Sequence, residues 1–196
     1  MNSHLVKPDD DGDSYVVRVI LRSLFGEGSS KFIETFSRKD DSNREEINIH
    51  QDNWWCGTRI ELEDNFAIQL CFDGGNMFWA FLKEILLPKI ETIAGSITLV
   101  DANKPEIFRY WPGVSLILVP CIVCIYSTEP LEPSEVENIS AVLNIPSEIP
   151  VVPCVITDSE SVNQVLLVML DETLKFIATG KMEEYLDTMR KAHGVT

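Results

Sequence analysis

The sequence predicts a three-layer α/β domain with a five- to six-stranded, mainly parallel sheet and one antiparallel hairpin at its edge. Three observations carry this. Strand-like and helix-like segments alternate along the chain, the order that puts helices on both faces of a parallel sheet. The strand-like run Tyr15 to Leu21 is mostly Val, Ile and Leu on both faces, as a central parallel strand must be. Finally, Arg59–Leu62 and Phe66–Leu70 alternate in character around Glu63-Asp64-Asn65, a hairpin signal.

The elements follow in order. After the first strand comes a short Gly-containing turn and a helix expected over Lys31 to Arg38. Arg38 to Asn48 is charged and reads as a surface loop before the hairpin. A helix is expected from Asn76 to Leu87, ended or kinked at Pro88, and then a strand from Gly95 to Asp101. Pro105 suits the first position of a short helix that Pro112-Gly113 would cut after Trp111. Cys121 to Tyr126 is a buried strand, and Ser134 with Glu137 forms a capping box opening a helix to Leu143. Val151 to Ile156 is the last strand. Thr157 with Glu160 is expected to cap a long helix reaching Ala178, with a core-facing stripe of Val162, Val165, Leu166, Met169, Leu170 and Leu174. Gly180 stops it. Residues 1–14 read as a polar tail, 15–180 as one domain, and 181–196 as a short amphipathic extension with Met182, Tyr185, Leu186 and Met189 on one side.

Composition narrows the function. The 196 residues suffice for one three-layer core and are short for two domains. A net charge of −15 would repel nucleic acid and an anionic membrane surface. The N-terminal residues are acidic (Asp9-Asp10-Asp11), the opposite of a signal peptide, and Val114 to Tyr126 is too short for a membrane span. A cytoplasmic location is expected. The 5 cysteines then read as free thiols in a reducing compartment. Cys121 and Cys124 form a C-x-x-C, but on a strand residues three apart face opposite sides, so no metal or redox pair is expected. His4, His50 and His193 lie far apart in sequence, and Asp9 to Asp13 lacks the loop and terminal Glu of a calcium site. No metal and no cofactor are expected.

The segment Val19 to Lys31 has the strand–loop–helix context of a phosphate-binding loop. The pattern G-x-x-x-x-G-K-[ST] puts its first Gly at Ser23, its second at Gly28, its Lys at Ser29 and its hydroxyl at Ser30, with Gly26 inside the loop. Only the second Gly and the hydroxyl are kept. The Lys that would neutralise phosphate is a Ser, and Glu27 adds negative charge beside it. Lys31 is no substitute: two residues further on a helix turns it ~200° away.

Further along, Ile97-Thr98-Leu99-Val100-Asp101 with Lys104-Pro105-Glu106-Ile107-Phe108 resembles the V-x-L-V-D-x-x-x-P-E-x-F stretch of the gliding-protein (MglA-like) and archaeal small GTPases, a Ras-like group. Pro133-Ser134-Glu135-Val136 through Ile145-Pro146, then Ile149 to Cys154 and Asp158 to Val162, resembles a later segment of the same group. The resemblance runs from about Tyr15 to Thr179 and implies a Ras-like P-loop NTPase fold. It also implies where the nucleotide motifs should fall, and there this chain departs from the pattern. No Thr lies between Ser42 and Gly57 to serve as the switch I ligand of Mg²⁺; Asp52 takes the place. The switch II motif F-G-T-P-G-Q falls on Cys71-Phe72-Asp73-Gly74-Gly75-Asn76, keeping Gly75 and shortening the water-orienting Gln to Asn76. The base-reading N-K-x-D falls on Tyr126-Ser127-Thr128-Glu129, where only the charge of Glu129 remains. The S-A-K-like element falls on Val155-Ile156-Thr157.

Phosphoryl transfer is positioning plus electrostatic stabilisation, and these substitutions remove both. Ser23, Gly26, Gly28, Ser29, Ser30, Asp73, Gly75, Asn76 and Glu129 thus read as vestigial positions of a pseudo-GTPase, a binding or scaffold subunit to which GTP is not expected to bind. In Ras-like proteins the switch surface binds effectors, and here it carries Trp54, Trp55, Met77, Phe78 and Trp79. Adjacent aromatics cannot all point inward, so they are candidates for a protein interface, or alternatively fill the vacated pocket. Resemblance makes a Roadblock-type dimer the expected partner class. Two alternatives stay open: a divergent GTPase that binds GTP or GDP and hydrolyses it slowly, and an unrelated α/β enzyme using Asp101 or Glu129.

Overall fold

The structure is a computed structural model and describes residues 7–8, 15–23, 27–37, 44–47, 56–62, 66–73, 93–105 and 120–180. Its strands are β1 (Lys7–Pro8), β2 (Tyr15–Arg22), β3 (Arg44–Ile47), β4 (Cys56–Leu62), β5 (Phe66–Asp73), β6 (Ile93–Asp101), β7 (Cys121–Ser127) and β8 (Val151–Val155). The described helices are α1 (Glu27–Ser37), α2 (Pro133–Leu143) and α3 (Ser159–Ala178).

All the described strands join one 8-stranded sheet of order β3-β4-β5-β2-β6-β7-β8, with β1 paired to β2. The pairs β2/β5, β2/β6, β6/β7 and β7/β8 are parallel, whereas β1/β2, β3/β4 and β4/β5 are antiparallel. The expected hairpin is therefore present, from Cys56 to Asp73, but it is not the edge. Arg44–Ile47 pairs outside it, where a loop was expected. Its Arg-Glu-Glu run hid the strand, because charge is what an edge strand carries to discourage further pairing. Lys7 and Pro8 of the polar N-terminal segment pair with Val16 and Tyr15.

The core divides by sheet face. Val17, Val19 and Leu21 of β2 alternate onto one face with Leu70, Ile97, Leu99, Ile122 and Cys124, and α1 and α3 cover them with Phe32, Ile33, Val162, Val165, Leu166 and Met169. On the other face Val100, Val123 and Ile125 meet Val136, Ile139 and Leu143 of α2. Helices on both faces make the three layers expected from the alternating pattern.

Several boundaries move for identifiable reasons. α1 begins at Glu27 rather than Lys31, taking Gly28, Ser29 and Ser30 into its first turn. α2 is capped by Glu132 with Glu135, not by Ser134 with Glu137: the Glu132 side chain accepts from the backbone of Glu135, and the Glu135 carboxylate accepts from Glu132 N at 2.8 Å. Pro133 supplies a first residue whose missing N–H costs nothing there. The cap of α3 is Asp158, which accepts from Glu160 N at 3.3 Å and Ser161 N at 3.1 Å, so Thr157 is not used. A carboxylate both bonds these amides and meets the positive helix end. Gly180, at φ +71°, ends the helix as expected. In α3 the core stripe holds Thr173 in place of Leu174; the Thr173 hydroxyl donates to Ala94 O at 3.0 Å, and Leu174 stands 65% exposed. The helix over Asn76 to Leu87 lies outside the described residues, as does most of the short one after Pro105.

One glycine fixes how closely α3 approaches the sheet. The β2/β6 register slips between Arg18 and Val19, so that Val19 faces Gly95. A methyl at Gly95 would stand 2.3 Å from Met169 Cε and 2.7 Å from the Pro120 carbonyl oxygen. Met169 can rotate away, but the carbonyl belongs to the backbone that receives Ser96 N. Gly95→Ala should lower stability by about 1–3 kcal/mol in urea melts, and Met169→Ala should add its own cavity cost rather than relieve the first change. A double mutant more stable than Gly95→Ala alone would show that Met169, not the carbonyl, sets the spacing.

Candidate functional site

Sheet topology selects the place. The chain leaves β2 for its β5 side and returns on its β6 side, so strand order reverses at β2/β6, where open α/β sheets form a crevice at the carboxyl ends of their strands. Ser23, Asp101, Tyr126 and the start of α1 meet there. The loop ends above β6, β7 and β8 are tied together: Ala102 N donates to Tyr126 O and Ile156 N to Ser127 O, both at 2.9 Å. The Thr35 hydroxyl of α1 donates to Ile156 O at 2.7 Å, so α1 is anchored to the same layer.

At the loop itself, Ser29 is fully buried, and its hydroxyl has no hydrogen-bond partner. Ser23 is buried at the end of β2, whereas Ser30 is exposed. Lys31 lies on the outer side of α1, 4.0 Å from the Glu34 carboxylate. The bare side of Gly28 is occupied by the phenol ring of Tyr126: a Cβ there would be 2.9 Å from both Tyr126 Cε1 and Oη. That contact was not legible in the sequence, because it joins residues 28 and 126 across the carboxyl edge; the available signal was a Tyr where the resembled motif has a small amide.

The electrostatics around this ring are negative. Tyr126 is pushed up to about 12, first by burial and then by the nearby Asp101 and Glu27 carboxylates and Cys124. Asp101 Oδ1 accepts from Asn103 N at 2.9 Å and from Asn103 Nδ2 at 3.2 Å, closing a turn of its own. The Ser127 hydroxyl donates to the Glu129 carbonyl, closing a turn that leaves Glu129 exposed. Beneath the crevice Arg22 is 2% exposed, beside Thr98 in register, and its guanidinium opposes the burial that raises the Cys121 thiol.

The cysteines are free, as expected, among the described residues. Cys121 and Cys124 do face opposite sides of β7. The partner of Cys124 is instead Cys154 on β8, one strand away. Burial raises the Cys124 thiol, and its hydrogen bond to Cys154 lowers the latter with help from Ser161. Asp73 ends β5 in register with Arg22. Gly26, Gly75, Asn76, Trp54, Trp55, Met77, Phe78 and Trp79 lie outside the described residues. Among those described, no group of three His, Cys, Asp or Glu is placed to hold a metal ion.

Comparison with known proteins identifies the architecture. The chain is similar in structure to the cytosolic domain of the T. maritima FeoB iron transporter in apo form, with 11% identity over 81% of this chain and 64% of that one, and a TM-score of 0.54. It is likewise similar to translation elongation factor SelB from Methanococcus maripaludis in apo form, with 11% identity over 82% of this chain and 34% of that one, and a TM-score of 0.53. The chain thus spans less than two-thirds of either neighbour. Identities this low speak to fold alone. The fold is that of the α/β P-loop NTPases. No protein-family model and no curated protein matches the sequence. No described helix is long and apolar enough to cross a membrane.

The tyrosine environment has a pH signature. A phenol whose folded value lies above the ordinary 10 contributes stability in full below pH 10, and that contribution is lost as pH rises from 10 through 12. Absorbance titration should therefore show one of the 4 tyrosines ionising near 12 in the folded protein. Tyr126→Phe should remove that late step. A late step that survives the substitution would place the shifted phenol elsewhere.

Proposed function

We propose that this chain is a pseudo-GTPase: a GTPase-type fold that serves as a protein-binding or scaffold subunit and does not hydrolyse GTP. One observation carries the reading. Where a phosphate-binding loop presents a Lys and an open glycine, this chain has a buried Ser29 hydroxyl and a Gly28 covered by Tyr126. A phosphate brought to this crevice meets Glu27 and Asp101 near a phenol held in its neutral form. The two carboxylates repel an anion and the ring blocks the glycine, and the only described cation beneath the crevice is the buried Arg22.

The switch-equivalent surface, with Trp54, Trp55, Met77, Phe78 and Trp79, is then the proposed contact face, and a Roadblock-type dimer the partner class that resemblance supports. Large aromatics are the residue types that supply most binding energy at protein interfaces. Alanine at a contacting Trp should weaken association with a purified Roadblock-type dimer by ~2 kcal/mol or more, about thirtyfold, with the melting temperature unchanged. Loss of melting temperature without loss of binding would make that Trp part of the core.

Nucleotide binding is tested directly. A ligand with a Kd of about 10 µM would stabilise the fold by ~2.7 kcal/mol at about 1 mM, a rise of roughly 5–10 °C for a chain of this size. Thermal melts with GTP or ATP and Mg²⁺ should show no such rise. Ser29→Lys should not produce one either, because Tyr126 and the acidic groups stay in place. A rise of that size in the unaltered protein would instead establish a divergent nucleotide-binding GTPase.

A further inference from the structure

Two thiols meet in the core beside the crevice. Cys124 on β7 and Cys154 on β8 are 0% and 2% exposed and belong to one core cluster. β7 and β8 run parallel, with Cys124 beside Val152 and Tyr126 beside Cys154, so the two cysteines sit diagonally on the same face. Their thiols are hydrogen-bonded, and Ser161 of α3 extends the chain: its hydroxyl accepts from Val155 N at 2.9 Å and donates to Cys154. The bonds to Cys154 favour its thiolate, the nucleophilic form, whereas burial keeps Cys124 a thiol. Cys121 is more exposed, but it faces the other side of β7 and burial holds it protonated.

We propose that Cys124 and Cys154 form a redox-sensitive pair whose oxidation to a disulfide lifts Tyr126 from Gly28. The oxidant class is a peroxide. The Cys154 sulfur attacks one peroxide oxygen and the O–O bond breaks. The departing hydroxide takes a proton to become water, and a sulfenic acid remains on Cys154. The Cys124 sulfur then attacks the Cys154 sulfur, the S–O bond breaks, and a second water leaves with the Cys124 proton. Two thiols thus lose two electrons and two protons, and hydrogen peroxide becomes two waters.

Geometry ties the disulfide to the crevice. Strand spacing and rise put diagonal Cα atoms about 8 Å apart, beyond the roughly 7 Å that a disulfide spans, so the strands must shift by about 1 Å or more. β8 is the strand that gives, because it ends the sheet and pairs only with β7 among the described strands. Tyr126 follows Cys124 on the same face and stands opposite Cys154, so it lies within the shifted region. The movement pulls on the bond from Ile156 N to Ser127 O and on the ring that covers Gly28. None of this depends on whether the crevice takes a nucleotide.

The test uses the full chain, untreated or exposed to a small molar excess of hydrogen peroxide, then alkylated and digested without reduction. Mass spectrometry should find a 124–154 link before any other cysteine is oxidised, and dithiothreitol should remove it. N-acetylimidazole, which acylates accessible phenols, should modify Tyr126 at least tenfold faster in the oxidised chain than in the reduced one. That difference should vanish in Cys124→Ala and in Cys154→Ala, with melting curves confirming that each is folded; Cys154→Val serves if the smaller residue unfolds the chain. Oxidation that begins at another cysteine, or no 124–154 link in folded protein, would overturn the pair. A link that leaves the Tyr126 acylation rate unchanged would overturn its coupling to the crevice.

Discussion

β2 is hydrogen-bonded on both sides, to β5 along its whole length and to β6 from Arg18 onward, and the rest of the molecule is arranged around that constraint. A strand held twice cannot slide, and a one-residue slip would turn Val17, Val19 and Leu21 out of the core. The carboxyl end of β2 is therefore fixed beside those of β5 and β6. Only residues 23–26 separate β2 from α1. Phe32 and Ile33 then bind α1 to the same core as β2, so the first turn of α1 is set over the crevice whatever residues it carries.

Holding an anion at such a crevice normally supplies the charge compensation that a helix N-terminus and nearby amides invite. Here the compensation is internal. Glu27 stands in the first turn of α1, favourable to the helix and unfavourable to a phosphate. Tyr126, neutral through the physiological range, covers the backbone at Gly28 with an apolar ring. The loop ends above β6, β7 and β8 are closed by their own hydrogen bonds, Ala102 to Tyr126, Ile156 to Ser127 and Thr35 to Ile156. A site built this way is stable without a ligand to complete it.

Most of the framework was legible because it rests on periodicity. The strands from Tyr15, Arg59, Phe66, Gly95, Cys121 and Val151 and the long helix to Ala178 all announce themselves by apolar spacing. What was not legible depends on residues meeting across elements. Arg44–Ile47 is a strand only because β4 offers it an edge, and nothing in a charged tetrapeptide says so. Thr173 replaces Leu174 in the core because its hydroxyl finds Ala94 O, a carbonyl 79 residues away in sequence. At the site, the sequence showed which positions depart from the resembled pattern but not what filled them. Ser29 could be seen to lack a charge; that it is buried, and that Tyr126 lies on Gly28, required the register of β7 against β6.

The framework and the crevice draw on different residues. The core on the α1 and α3 face is built from aliphatic side chains of β2, β5, β6 and β7 with α1 and α3, and none of Ser23, Ser30, Asp101 or Glu129 belongs to it. Substituting a loop Lys by Ser removes an unpaired cation from the crevice and costs the core no buried apolar area, so stability does not oppose the change. The converse does not hold. With Tyr126 on Gly28, introducing a single phosphate-binding residue leaves the ring, Glu27 and Asp101 in the way, so a phosphate site would require several coordinated substitutions. Coupled residues of this kind behave as a unit.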